Sequence, residues 1–178
     1  IFKLAQANIL GLQYIEKINN ISGDVGLAEN KVWTDNLNLQ AIDSPFVLKG
    51  TLENFRNPYL KLNLASEQVN LKKLLALLPQ KPQGLNLSGE SSADINIEGY
   101  LNKLPLDTKA SFNVTDAVLE TALLNEPLNN LKGKVDFTQD IVSWQGLSFN
   151  YLNTIYTTSG KLTNFQTPQL NFSLSSKD

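Results

Sequence analysis

The side chains of this chain that could act chemically are hydroxyls, carboxylates, amines and amides, because its 178 residues include no His, Cys or Met. Without His or Cys, the commonest acid–base group and the usual soft-metal ligands are missing. A hydroxyl nucleophile needs a base held beside it. No Ser-x-x-Lys spacing stands at a helix start, and Asp and Glu are dispersed along the chain. Gly23-Asp24-Val25-Gly26 lies inside a strand pattern, where glycine marks a bulge or close packing and not a phosphate loop. The densest basic pair, Lys72-Lys73, reads as the wet face of a helix. With a net charge of −2 and a pI near 5.2, the chain has little with which to displace phosphate counterions, so nucleic acid is not an expected partner. The expectation is a non-enzymatic protein with no catalytic residue, metal or cofactor.

What remains is apolar binding chemistry. Phe46, Leu48, Leu52, Leu60, Leu62 and Leu64, then Tyr156, Leu162, Leu170, Phe172 and Leu174, fall at even spacings within their segments. Residues two apart on a strand share a face, so these are the candidate lining of one apolar surface. Two outcomes fit the pattern. Packed against a second sheet, the surface is ordinary core. Left open as a groove, it accepts acyl chains, each methylene buried there contributing about 0.8 kcal/mol.

The elements that must position this surface are strands. Alternation with period two runs through Phe46–Glu53, Tyr59–Leu64, Leu85-x-Leu87, Ile95-x-Ile97, Val135-x-Phe137, Leu147-x-Phe149 and Leu170–Leu174. Lys61, Asn63, Asp94, Asn96, Asp136 and Asn171 occupy the opposite parity, as expected of half-buried antiparallel strands with one wet face. Turns are predicted at Asn54–Pro58, Asn164–Pro168 and Gly99–Pro105, and near Glu29-Asn30, Asn125–Pro127 and Gln139-Asp140. One segment breaks the period. Leu71, Leu74, Leu75 and Leu78 recur at i, i+3, i+4 and i+7, predicting a short amphipathic helix near residues 70–78 that Pro79 stops. Packing on the sheet accounts for its apolar side, and Gln80–Gly84 follows as a loop. No apolar run approaches the length of a membrane span.

The strands repeat. Residues 16–68 recur without a gap as residues 126–178, an offset of 110 positions that sets Gly23 on Gly133, Gly50 on Gly160, Asn54-Phe55 on Asn164-Phe165 and Pro58 on Pro168. A fainter echo sets Phe2 on Phe112 and Ala7 on Ala117. An unbroken register keeps the apolar parity in phase from copy to copy, as in repeat architectures. Residues 1–178 therefore read as one continuous β-repeat section of about one and a half periods, expected to be a fragment of a longer protein whose targeting segment lies elsewhere.

The repeated element Gly-x-Leu-x-Asn-Phe-x-x-Pro-x-Leu-x-[Leu/Phe]-x-Leu-x-Ser, followed by Val69-Asn70-Leu71-Lys72-Lys73-Leu74-Leu75, resembles the AsmA-like superfamily of bacterial envelope proteins, which includes TamB-type relatives. The stretches Leu104-Pro105-Leu106, Ala110–Val114 and Pro127–Gly133 resemble its C-terminal regions as well. The resemblance implies an elongated, curved antiparallel β-sheet groove of the β-taco type, in the periplasm, with a parent anchored in the inner membrane. It implies phospholipid or another acyl-chain lipid as ligand, other repeats of the parent as neighbours, membrane contact through other parts of that parent, and a role in phospholipid transport to the outer membrane and its assembly. The alternative from patterning is a structural or adhesive β-repeat module with a packed core, binding protein or glycan through its loops.

Overall fold

Period-two alternation is realised almost throughout. In the computed structural model, which describes residues 1–10, 17–77 and 84–177, the chain forms one antiparallel sheet of eleven strands, in sequence order and not closed into a barrel. β1 (Phe2–Leu10), β2 (Lys17–Ala28), β3 (Lys31–Ala41), β4 (Ser44–Glu53) and β5 (Tyr59–Asn70) precede helix α1 (Leu71–Ala76). β6 (Asn86–Tyr100), β7 (Asp107–Glu120), β8 (Leu128–Phe137), β9 (Ile141–Tyr151), β10 (Thr154–Thr163) and β11 (Gln169–Lys177) follow. By packing, residues 1–68 with 93–110 form one unit, and residues 69–92 with 111–178 form a second.

The sequence repeat is also a backbone repeat. β3 and β4 end at residues that map, 110 positions on, to the ends of β9 and β10. Left-handed or glycine-type backbone recurs at the same offset: Asn20 and Asn130 (φ 54° and 53°), Gly23 and Gly133 (142° and 138°), Asn54 and Asn164 (58° and 56°). The hairpin between β3 and β4 turns on Ile42-Asp43 with φ 50° and 57°, and that between β9 and β10 on Leu152-Asn153 with 48° and 67°. Positive φ at both central residues gives the twist that two-residue hairpins require, although Ile and Leu are poor choices for it. At the opposite end, Asn54 N–H donates to Asn30 O at 2.9 Å and Asn164 N–H to Asp140 O at 3.1 Å.

The helix is shorter than its periodicity. Val69 and Asn70 belong to β5, and Asn70, still extended, caps α1 by accepting a hydrogen bond from Lys73 N–H at 3.1 Å. That cap satisfies one of the donors a helix start leaves open, which is why the helix begins at Leu71. Leu78, Pro79 and the predicted loop at 80–83 lie outside the described residues. Leu71 and Leu75 are buried while Lys72 and Lys73 face solvent. Leu71 packs with Val114, Ala117 and Leu131, and Leu74, Leu87, Leu147 and Phe149 close around the cluster, so α1 rests on strands β7 to β9.

Candidate functional site

Paired residues of neighbouring antiparallel strands point to the same side, so the register assembles the apolar face row by row. In the first unit, Val32, Leu52 and Leu60 form one row. Thr34, Gly50 and Leu62 form the next, then Leu37, Leu48 and Leu64, and Phe46 pairs with Leu39. All six expected lining residues of this unit therefore share one face. Phe46 is buried, and Leu48, Leu52, Leu60, Leu62 and Leu64 are half-buried.

The second unit repeats the rows with larger side chains. Phe137, Val142, Leu162 and Leu170 stand in line, as do Val135, Trp144, Gly160 and Phe172. Leu147, Thr158 and Leu174 follow, and then Phe149, Tyr156 and Ser176. Tyr156 stacks on Phe149 at 5.6 Å, and Phe112 meets Phe137 edge-on at 5.4 Å. Leu170, Phe172 and Leu174 remain 59%, 55% and 53% exposed, β11 pairing with β10 alone among the described residues.

Val32, Leu37, Leu39, Val135, Trp144, Leu147 and Phe149 belong to the same faces and were not among the expected lining. β3 carries a bulge between Thr34 and Leu37, so its inward parity switches from even to odd numbers in mid-strand. The pairing of β9 with β10 slips at the equivalent place. A strict period-two reading loses the face there. The only sequence signal is the change of phase between Val32 and Leu37, and between Val142 and Leu147.

Glycines shape the middle of each face. A Cβ on Gly50 would lie 2.5 Å from Leu62 Cδ2 and from Lys61 O, and one on Gly160 would lie 2.7 Å from Phe172 Cβ and Trp144 Cζ2. Leaving out the side chain lets the neighbouring Leu or Trp lie across the strand. Hydroxyls on these faces are turned into the backbone: Thr34 Oγ1 donates to Asp24 O at 2.8 Å, Ser44 Oγ to Ile42 O at 3.2 Å and Thr158 Oγ1 to Ser173 O at 2.8 Å. Trp144 Nε1 donates to Thr158 Oγ1 at 3.2 Å. Hydroxyls satisfied in this way leave mainly hydrocarbon on view. No charged residue falls in any row.

The opposite face is polar. Asn63 Nδ2 donates to Asp94 Oδ1 at 3.0 Å and to Asn96 Oδ1 at 3.1 Å, binding β5 to β6. Lys31–Glu53, Lys109–Asp107 and Lys134–Asp136 are ion pairs at 2.8, 3.4 and 3.0 Å. Hydrogen bonds from Lys134 and Ser111 hold the Asp136 carboxyl below the usual carboxylate range. A hollow of about 520 Å³ in the first unit is lined by Asn38, Gln40, Pro45, Val47, Ala65 and Glu67 and reaches Leu39, Phe46 and Ser66 as well.

Among the described residues there is no cluster of potential metal ligands and no helix long and apolar enough to cross a membrane. The accessible surface is 12,054 Å², whereas two compact units sharing 19.7 kDa would expose about 10,000 Å². Among the large apolar residues, Phe2, Leu123, Leu152, Ile155, Leu170, Phe172 and Leu174 are exposed. No protein family, curated protein or solved structure matches this chain.

Proposed function

We propose that the apolar face binds lipid acyl chains, as a segment of a non-enzymatic lipid-transfer groove in a bacterial envelope protein. One observation supports this reading: the face has continuous hydrocarbon rows in each unit with no charge in them, Thr34 and Thr158 hydroxyls bonded to backbone, and Leu170, Phe172 and Leu174 more than half exposed on β11. Exposed apolar residues gathered side by side, as Leu170, Phe172 and Leu174 are, mark a surface where an apolar partner can bind. An acyl chain suits the surface because its attraction is non-directional and scales with buried area, about 25 cal/mol per Å². Rows of Leu and Phe provide that area without the fixed polar groups that would select one headgroup.

The resemblance of the Gly-x-Leu, Asn-Phe, Pro hairpin to AsmA-like repeats supports the same reading and supplies the periplasmic setting, the curved groove and phospholipid as the cargo. α1, seated on the apolar side of β7 to β9, then narrows the surface open to lipid in the second unit.

Photo-crosslinking amino acids placed at Leu62 and Phe172 test the reading, in protein purified from bacterial membranes and analysed by native mass spectrometry. Lipid adducts are expected at both positions and absent at the outward positions Lys61 and Asn171. Equal labelling of both faces, or none on either, would sink the groove and leave the packed or adhesive module.

A further inference from the structure

We propose that one end of the first unit docks on the surface of an anionic lipid bilayer. Phe55, Leu101 and Leu104 enter the headgroup layer, and Arg56 and Lys103 meet lipid phosphate. This concerns the ends of the strands and not their apolar face, so it does not rest on the acyl-chain reading. Two loops build the tip, residues 54–58 between β4 and β5 and residues 101–106 between β6 and β7, both in the interior of the strand order. They are tied to each other and to the neighbouring turn. Leu101 N–H donates to Pro58 O at 2.9 Å, Asn102 Nδ2 to Asn57 Oδ1 at 3.0 Å and Phe55 N–H to Asn30 Oδ1 at 2.9 Å, while Tyr100 meets Tyr59 edge-on at 4.9 Å. These bonds satisfy polar groups of the loops and fix their path. Their apolar side chains nevertheless face water: Phe55, Tyr100 and Leu101 are exposed, and Leu104 is 76% exposed.

Charge selects the partner. Residues 54–58 and 100–106 carry Arg56 and Lys103 and no carboxylate, in a chain whose net charge is −2. The acids that flank them are paired, Glu53 with Lys31 at 2.8 Å and Asp107 with Lys109 at 3.4 Å. Glu29, near the adjacent turn, offsets only part of the excess. Lys103 Nζ lies 5.4 Å from the centre of the Tyr100 ring, which sets an ammonium beside an amphipathic aromatic group. Aromatic rings and long cationic side chains share the boundary between hydrocarbon and water, and anionic headgroups attract the cations. A protein partner would need a fixed shape complementary to the tip, whereas a fluid headgroup layer accepts scattered apolar side chains among cations. The second unit supplies the contrast. Its matching loop keeps an exposed Phe165 but has Gln166 in the place of Arg56, and Leu152 is exposed on a turn without charge.

The chain has no Cys, so Leu104→Cys, Phe165→Cys or Leu152→Cys carries an environment-sensitive dye at that place alone. The vesicles are phosphatidylcholine with phosphatidylglycerol, three parts to one, or phosphatidylcholine by itself. With the anionic vesicles, the dye at 104 is expected to shift to the blue and to be quenched by brominated acyl chains. With phosphatidylcholine it should do neither, and the dyes at 165 and 152 should respond to neither kind of vesicle. Arg56→Gln combined with Lys103→Gln should weaken vesicle sedimentation roughly tenfold or more, with circular dichroism unchanged, and high salt should weaken the parent chain's binding in the same direction. The proposal is overturned if the dye at 104 does not respond, if the dyes at 165 or 152 respond as strongly, or if the double variant binds as well as the parent chain. It is equally overturned if the tip ignores vesicles and crosslinks instead to a protein in a membrane extract.

Discussion

β2 to β5 and β8 to β11 share a backbone and differ in what occupies it. The ends of the two middle strands, left-handed Asn residues, turn geometry and the slip in mid-sheet coincide at an offset of 110 positions. Side chains do not follow as closely: Thr34 is matched by Trp144, Leu48 by Thr158, Phe46 by Tyr156 and Leu62 by Phe172. The two Trp residues show the division of labour. Trp33 lies on the outward face against Gly26, and Trp144, one place further along the repeat, lies on the apolar face against Gly160. Each indole occupies room that a glycine vacates. The position of the Trp in its strand sets which face receives the ring, and a facing glycine leaves it room while the backbone scaffold stays the same. Burial is set by a third factor, the neighbouring strand: β5 lies between β4 and β6, whereas β11 pairs with β10 alone among the described residues.

That comparison breaks hardest at the central glycines. Gly50→Val forces a branched side chain into Leu62 and the Lys61 carbonyl, where β5 is held on both sides, and is expected to cost about 3 kcal/mol. Gly160→Val meets β11, which pairs with β10 alone among the described residues, and is expected to cost about half as much in urea denaturation. Equal losses would mean that β11 is held as tightly as β5. The helix comes next. Leu71→Ala removes a buried anchor of α1 and should lower stability by about 2–3 kcal/mol, read as a drop in Tm.

A smaller contrast separates Leu62→Ala, expected to cost about 1–2 kcal/mol, from Phe172→Ala, expected to cost less than about 1 kcal/mol despite the larger side chain, because exposed carbon loses little on truncation. Leu152 is 65% exposed at φ 48°, so Leu152→Asn should stabilise by about 1 kcal/mol. Ile42→Asn should gain less, since Ile42 is half-buried. The smallest effect concerns Asp136, whose place in the first repeat is taken by Gly26. Its folded carboxyl titrates below the usual value of 3.8, so its contribution is present above that pH and fades as pH falls through the lowered value. Asp136→Asn should flatten acid denaturation slightly, in keeping with an ion pair open to solvent.

Much of the scaffold was legible because it rests on local signals. Leu60, Leu62 and Leu64 set a strand phase, and Asn54 and Pro58 mark a turn by backbone preferences that act within a few residues. The turns at Ile42-Asp43 and Leu152-Asn153 were not legible, since Ile and Leu disfavour positive φ and the sheet on either side imposes it. The bulge in β3 hid Leu37 and Leu39 from a fixed period, and Leu147-x-Phe149, read as a strand, was not linked to the apolar face because the pairing of β9 slips before it. The docking of α1 on Val114, Ala117 and Leu131 depends on contacts distant in sequence, which spacing does not encode. The start of α1 was within reach, as Asn70 is a good cap, but the extended backbone of Val69 and Asn70 is decided by their pairing in β5.

The gap-free backbone repeat also bears on how such a gene can change length. Because turns, glycines and inward parity recur at one constant offset, a crossover between equivalent codons of the two copies removes or adds a whole period and joins strand to strand in phase. Nearly every junction between residues 17 and 67 and their counterparts gives a product whose side chains still face the correct way. Unequal recombination, destructive in most coding sequences, becomes here a way to lengthen or shorten the protein.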